Sequence, residues 1–208
     1  LERCVSQPRT PGREALIALS AALAAGDASR RDEVLRHARS SASAVEEAIL
    51  QSHHFLGYPA ALNALAAWRE ISGIELERQA ESAGESWAER GERVCQAVYG
   101  GQYEALRENI RRLHPDMERW MVEDGYGRVI GRAGLPLVER ELCIVALLAV
   151  LDAPRQLYAH LRGALNVGAE EPEVARALEI AATVSDDDAR ARAVHTWQLV
   201  LARSARAG

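Results

Sequence analysis

Residues 140–168 read RELCIVALLAVLDAPRQLYAHLRGALNVG, and residues 13–39 read REALIALSAALAAGDASRRDEVLRHAR. Each stretch opens on Arg-Glu, continues through an apolar run, breaks, and reaches His-x-Arg. The matching residues are Arg13, Glu14, His37 and Arg39 in one copy and Arg140, Glu141, His160 and Arg162 in the other. The breaks are Gly26-Asp27 and Asp152-Ala153-Pro154, residue types that punctuate helices. Self-similarity of this kind marks a repeated supersecondary unit, here a helical hairpin near residues 13–50 and again near 140–180. A carboxylate and an imidazole kept in step through the repeat mark a candidate site, because packing alone accepts many residue types at such positions.

Working outward, the whole chain of 208 residues is 48% hydrophobic and 26% charged, enough to bury one sizeable core or two small ones. Alanine and leucine dominate and β-branched and aromatic residues are sparse, a balance that favours helix over sheet. The expected fold class is all-α. All 25 basic residues are arginine, and the net charge is −5. That balance argues against a general nucleic-acid partner, which needs a basic stripe to displace counterions.

Cys4, Cys95 and Cys143 are odd in number and form no CxxC, so a disulfide framework is not expected and a reducing cytoplasm is. The longest apolar run, residues 142–151, is too short to cross a bilayer, and no membrane partner is expected. Arg9 and Arg13 ahead of the alanine-rich residues 15–25 imitate a secretion signal. Glu14 and the echo of that stretch from Leu142 onwards assign it to the fold instead.

Apolar residues fall at helical spacing almost throughout, interrupted at Gly57-Tyr58-Pro59, Gly73, Gly100-Gly101, residues 131–134 and Gly168 as well as at the two hairpin turns. About nine or ten helices are implied. Asp27 and Asp152 are expected to cap the histidine-bearing helices. The mixed-charge run 74–93 reads as a solvated helix between the halves, and Asp186, Asp187 and Asp188 read as a helix start, with acid at the positive end of the dipole.

Glu141 lies eleven residues before Asp152 and His160 eight after it. On two antiparallel helices these positions are roughly 16 Å and 12 Å from the turn at about 1.5 Å per residue, so the side chains can meet; Glu14 and His37 pass the same test. A carboxylate beside an imidazole can hold its tautomer and pass a proton. It can equally be a buried pair that fastens two helices. His37, His53 and His54 have no metal-binding spacing on one helix, and no metal is expected.

The phrases Tyr126-Gly127, Gly131-Arg132-Ala133-Gly134-Leu135, Arg140-Glu141 and His160-Leu161-Arg162-Gly163-Ala164-Leu165-Asn166-Val167-Gly168 together resemble the carboxymuconolactone decarboxylase family, which shares its all-α fold with the AhpD-like alkylhydroperoxidases. Residues 49–62, from Ile49 through Gln51, His53, His54 and Tyr58 to Leu62, are similar to the closing segment of the same unit. The resemblance implies an AhpD-like helical fold with an internal duplication of a helical hairpin, made of two fused, diverged units: residues 1–72 and a more complete second half, 73–208.

The departures sharpen this picture. Ala133 stands where the family has proline. In the peroxidase branch a CxxCxxxH phrase places a reactive thiol and its resolving partner before the histidine, but here those positions hold Ala153 and Gln156. A thiol peroxidase cycle cannot close within that motif, and Cys95 and Cys143 read as small core residues.

The resemblance therefore favours the decarboxylase branch: a lyase working without a cofactor on a small carboxylated, lactone-type substrate. Glu141 and His160 would be the acid-base pair. Arg132 or Arg162 would hold a substrate carboxylate, Gln51, His54 and Tyr58 would be borrowed from the first half or a neighbouring subunit, and Glu14 and His37 would be the counterpart pair. An alkylhydroperoxidase-related protein lacking the CxxC motif and a noncatalytic oligomeric binding protein are the alternatives. A ring-like homo-oligomer, a trimer or hexamer, is expected from apolar helix faces in need of partners.

Overall fold

A computed structural model describes residues 12–38, 42–75 and 85–207. Arg39 of the first repeat, Cys4, and residues 76–84 of the charged run lie outside them. The described residues form ten α-helices and no strand. They are α1 (Arg13–Ala25), α2 (Ala28–His37), α3 (Ala42–Ser72), α4 (Trp87–Tyr99), α5 (Tyr103–Leu113), α6 (Pro115–Trp120), α7 (Leu137–Val150), α8 (Pro154–Asn166), α9 (Glu171–Ala182) and α10 (Asp187–Ala207), with a π-helical segment, Met121–Ile130, running on from α6.

The two similar stretches of sequence lie in the helix pairs α1–α2 and α7–α8, with α1 packed against α7. Every residue of α7 from Val138 to Ala149 is buried, the pattern of a helix apolar on all sides and surrounded by others. Helices α1, α3, α8, α9 and α10 pack around it, and one apolar cluster extends from Leu16 of α1 to Val200 of α10. The long α3 is broken at Gly57, whose φ of 78° is open mainly to glycine. Pro59 follows, and the break turns the second part of α3 away from the axis of the first.

Asp27 caps α2 as expected, accepting from the Arg30 N–H at 2.9 Å, and Asp186 caps α10 by accepting from the Ala189 N–H at 2.7 Å. Asp152 does not cap α8. Its backbone turns left-handed, with φ 53°, and its carboxylate is held by Arg192 at 2.7 Å.

At the described end of the charged run, residues 87–89, 92 and 93 of α4 are exposed as expected, whereas Arg90 and Gly91, and beyond the run Val94, Cys95 and Val98, are buried. The reason is a backbone-to-backbone crossing with the π segment. A Cβ on Gly91 would lie 2.0 Å from the Val122 carbonyl oxygen, and one on Gly127 would lie 1.9 Å from that of Trp87. Glycine on both sides lets the two elements touch directly, and this carries Tyr99 and Tyr126 to the same place.

Candidate active site

Near its start helix α7 carries three consecutive charged residues, Glu139, Arg140 and Glu141, all essentially excluded from solvent. Buried charges are tolerated only when paired, and successive residues on a helix point about 100° apart. Each charge therefore finds its partner on a different element. Glu139 takes Arg13 of α1 at 2.8 Å, Arg140 takes Glu47 of α3 at 2.7 Å, and Glu141 takes His160 of α8 at 2.8 Å. The first two pairs lock the core around α7. The third opens onto a cleft.

His160 is 7% exposed, and its Nδ1 faces Glu141 Oε2. A carboxylate at that distance fixes the tautomer, with Nδ1 carrying the proton it donates, and this leaves Nε2 as the exchangeable position. The second carboxylate oxygen, Glu141 Oε1, is buried without a protein hydrogen-bond partner. An unsatisfied buried acceptor costs about 1–3 kcal/mol. Gly163, one turn beyond His160, makes the close approach possible, since a Cβ there would lie 2.8 Å from Glu141 Oε2 and 2.7 Å from a Val98 methyl.

The cleft beside His160 has a volume of about 1060 Å³. Phe55 and Tyr99 flank the imidazole edge-on, with ring centroids at 6.2 Å and 6.3 Å. Tyr126 donates its hydroxyl hydrogen to Tyr99 Oη at 2.8 Å. Burial, the largest influence, raises both tyrosine pKa values, with the Glu141 carboxylate acting in the same direction. Arg155 and Gln156, at the start of α8, and Met117 and Trp120 also line the wall. A mostly apolar cleft with a few convergent polar groups is the usual form of a small-molecule site.

The structure brings some of the sequence-derived candidates together and separates others. His54 and Tyr58 line the same cleft as His160. His54 stands at its rim, and its pKa is lowered, first by partial desolvation and then by the neighbouring His53; Asp124 acts against these. Gln51 does not face the cleft. It is buried behind α7, donating to the Arg140 carbonyl and accepting from the Arg140 guanidinium, both at 3.4 Å. Arg132 is engaged by Glu47, with contacts of 3.0–3.2 Å, so Glu47 joins two arginines. Arg162 lines an adjoining hollow bounded by α4 and α5, which shares Tyr99, Leu106, Asn109 and Ala159 with the cleft.

The first-repeat pair is not assembled like the second. Glu14 is on the surface with Arg176 at 3.0 Å, and His37 is exposed, its Nδ1 donating to the Glu33 carbonyl at 2.8 Å. The buried face of α1 is carried by Leu16, Ile17, Leu19, Ser20 and residues 21–23, which leaves Glu14 turned toward α9.

Sequence reasoning missed Glu47, Phe55, Tyr99 and Arg155, and gave Tyr126 no role. A signal existed for Glu47, an acid within the apolar stretch Ala44–Leu50. None existed for Tyr99, which reaches the cleft only through the α4–π crossing.

Burial pushes the thiols of Cys95 and Cys143 up to about 12, and Gln156 lines the cleft where the peroxidase motif would place a cysteine. Among the described residues no group of three His, Cys, Asp or Glu side chains is arranged to hold a metal ion, and no helix is long and apolar enough to cross a membrane.

Residues 115–198, a segment that runs from α6 into α10 and contains both Glu141 and His160, match the model of the Carboxymuconolactone decarboxylase family. Over 151 residues it is also 27% identical to a Schizosaccharomyces pombe protein named "Peroxisomal protein 2", a match covering 69% of each chain.

Proposed function

We propose that this protein is a carboxy-lyase that removes carbon dioxide from a small carboxylated, lactone-type substrate by acid-base chemistry alone. The observation that carries this reading is the His160 ring, held through Nδ1 by a buried carboxylate and lining a cleft of substrate size. In this reaction the bond between the carboxylate carbon and the ring breaks, and its electron pair passes into the conjugated carbonyl to give an enolate. Protonated His160 delivers the Nε2 proton to carbon, Glu141 retains its hydrogen bond to Nδ1, and His160 regains a proton from solvent. Positioned proton transfer is worth about 10²- to 10⁴-fold in rate.

Arg132 is engaged by Glu47, while Arg155, five residues before His160, and Arg128 both line the cleft and can hold the substrate carboxylate. In this arrangement the first unit, residues 1–72, supplies His54 and Tyr58, and the second, 73–208, supplies the proton couple. The exposed apolar residues of the cleft, Tyr58, Met117 and Trp120, suit association into a ring of copies, and the unpaired cysteine pattern suits the cytoplasm.

The test is turnover of carboxylated unsaturated lactones, followed by carbon dioxide release. Wild type active with His160→Ala and Glu141→Ala strongly impaired supports the proposal, and equal turnover by all three removes the assigned roles.

A further inference from the structure

Two hydroxyls of the cleft have no part in the proton couple. Tyr99 ends α4 and Tyr126 lies in the π segment, and the glycine-mediated crossing of those elements sets their rings edge-on, with centroids at 5.7 Å and planes at 74°. Both line the cleft with His160. Because Tyr126 donates to Tyr99, the hydrogen of Tyr99 is directed elsewhere, and it has no protein acceptor among the described residues. Its ring lies 6.3 Å from that of His160, so one small planar molecule can meet both.

We infer that Tyr99, backed by Tyr126, forms an oxyanion site that accepts the enolate oxygen of a conjugated substrate while His160 addresses its carbon, an assignment that rests on the decarboxylase reading of the cleft. A hydroxyl that already accepts a hydrogen bond is a stronger donor, since chains of hydrogen bonds polarise one another. Fixed donors aimed at developing charge in a poorly hydrated site need no reorganisation when the charge appears. Burial keeps both phenols protonated well beyond neutral pH, so the site remains a donor. Tyr99 would touch the substrate, and Tyr126 would be a positioning residue.

The probe is 4-nitrophenolate, a planar conjugated oxyanion, compared with 4-nitrotoluene, which has nearly the same shape and no oxygen at that position. Binding to the intact chain is measured by absorbance and calorimetry. Wild type should prefer the phenolate. Tyr99→Phe should weaken that preference roughly 10- to 100-fold, the worth of one hydrogen bond to a charged group, with 4-nitrotoluene binding unchanged as proof that the cleft is intact. Tyr126→Phe should weaken it severalfold.

Absence of a preference in wild type, or a preference that survives Tyr99→Phe and disappears only in Arg155→Gln, overturns the site. The probe is not turned over, so failure of lactone decarboxylation with the phenolate preference intact sinks the decarboxylase reading and not the oxyanion site. Lactone turnover unaffected by Tyr99→Phe does the reverse.

Discussion

Glu141 and His160, nineteen residues apart in the chain, meet at 2.8 Å across the α7–α8 hairpin, yet only one oxygen of the carboxylate is used. What sets this pair apart from the Glu139 and Arg140 locks on the same helix is that its imidazole lines an open cleft. His160→Ala and Glu141→Ala are accordingly expected to lower decarboxylation by about 10²- to 10⁴-fold, as measured by carbon dioxide release under saturating substrate.

Gly163 gives a second handle on the same contact. A methyl group there would push on both Val98 and Glu141 Oε2, so Gly163→Ala is expected to cost about 1–3 kcal/mol of stability and to lower turnover through displacement of the carboxylate. Urea denaturation and kinetics on one preparation check both effects, and wild-type values for both would show that α8 can shift at no cost.

The Glu47–Arg140 pair is a structural lock. Removing Glu47 leaves a fully buried guanidinium without its counter-charge, and desolvation already lowers the Arg140 pKa. Glu47→Ala should destabilise the protein by about 3–5 kcal/mol, visible as a lower urea midpoint. Leu50→Ala, on the same helix but only partly buried, should cost much less.

His54 makes stability depend on pH. Its pKa is lowered from the usual 6.5, so below that value the unfolded chain binds the proton more readily than the folded one. Stability is then unaffected above the unfolded value, and falls as pH drops from about 6.5 toward the folded value. His54→Gln should flatten that part of the stability curve. An identical pH slope in the variant would assign the effect to another group.

Cys95 and Cys143 should be inert in the native state, because burial holds both thiols protonated and the thiolate is the nucleophile. With Cys4 changed to serine, a thiol-specific disulfide reagent should label nothing until denaturant is added. Cys143→Ser should leave carbon dioxide release at the wild-type level.

The hairpin α7–α8 and the meeting of Glu141 with His160 were legible because helix periodicity and the turn position are local properties. Counting residues from Asp152 gave the correct level on each helix. The same count failed for Glu14 and His37. Level along an axis does not set rotation about it, and the apolar face of α1 turns Glu14 toward Arg176. Arg132 was equally beyond reach, because its occupation by Glu47, 85 residues away, is a long-range choice driven by the need to neutralise a buried carboxylate.

The order of residues along the chain thus determined an all-helical fold and an acid opposite an imidazole across the α7–α8 turn, since these follow from spacing within a few turns of helix. Which charges are consumed as core locks, and which aromatic hydroxyls reach the cleft, depended on how α3, α4 and the π segment pack around α7. Those outcomes balance desolvation against pairing between residues far apart in sequence, and glycine-permitted contacts such as that of Gly127 with Trp87 leave no periodic trace in the sequence.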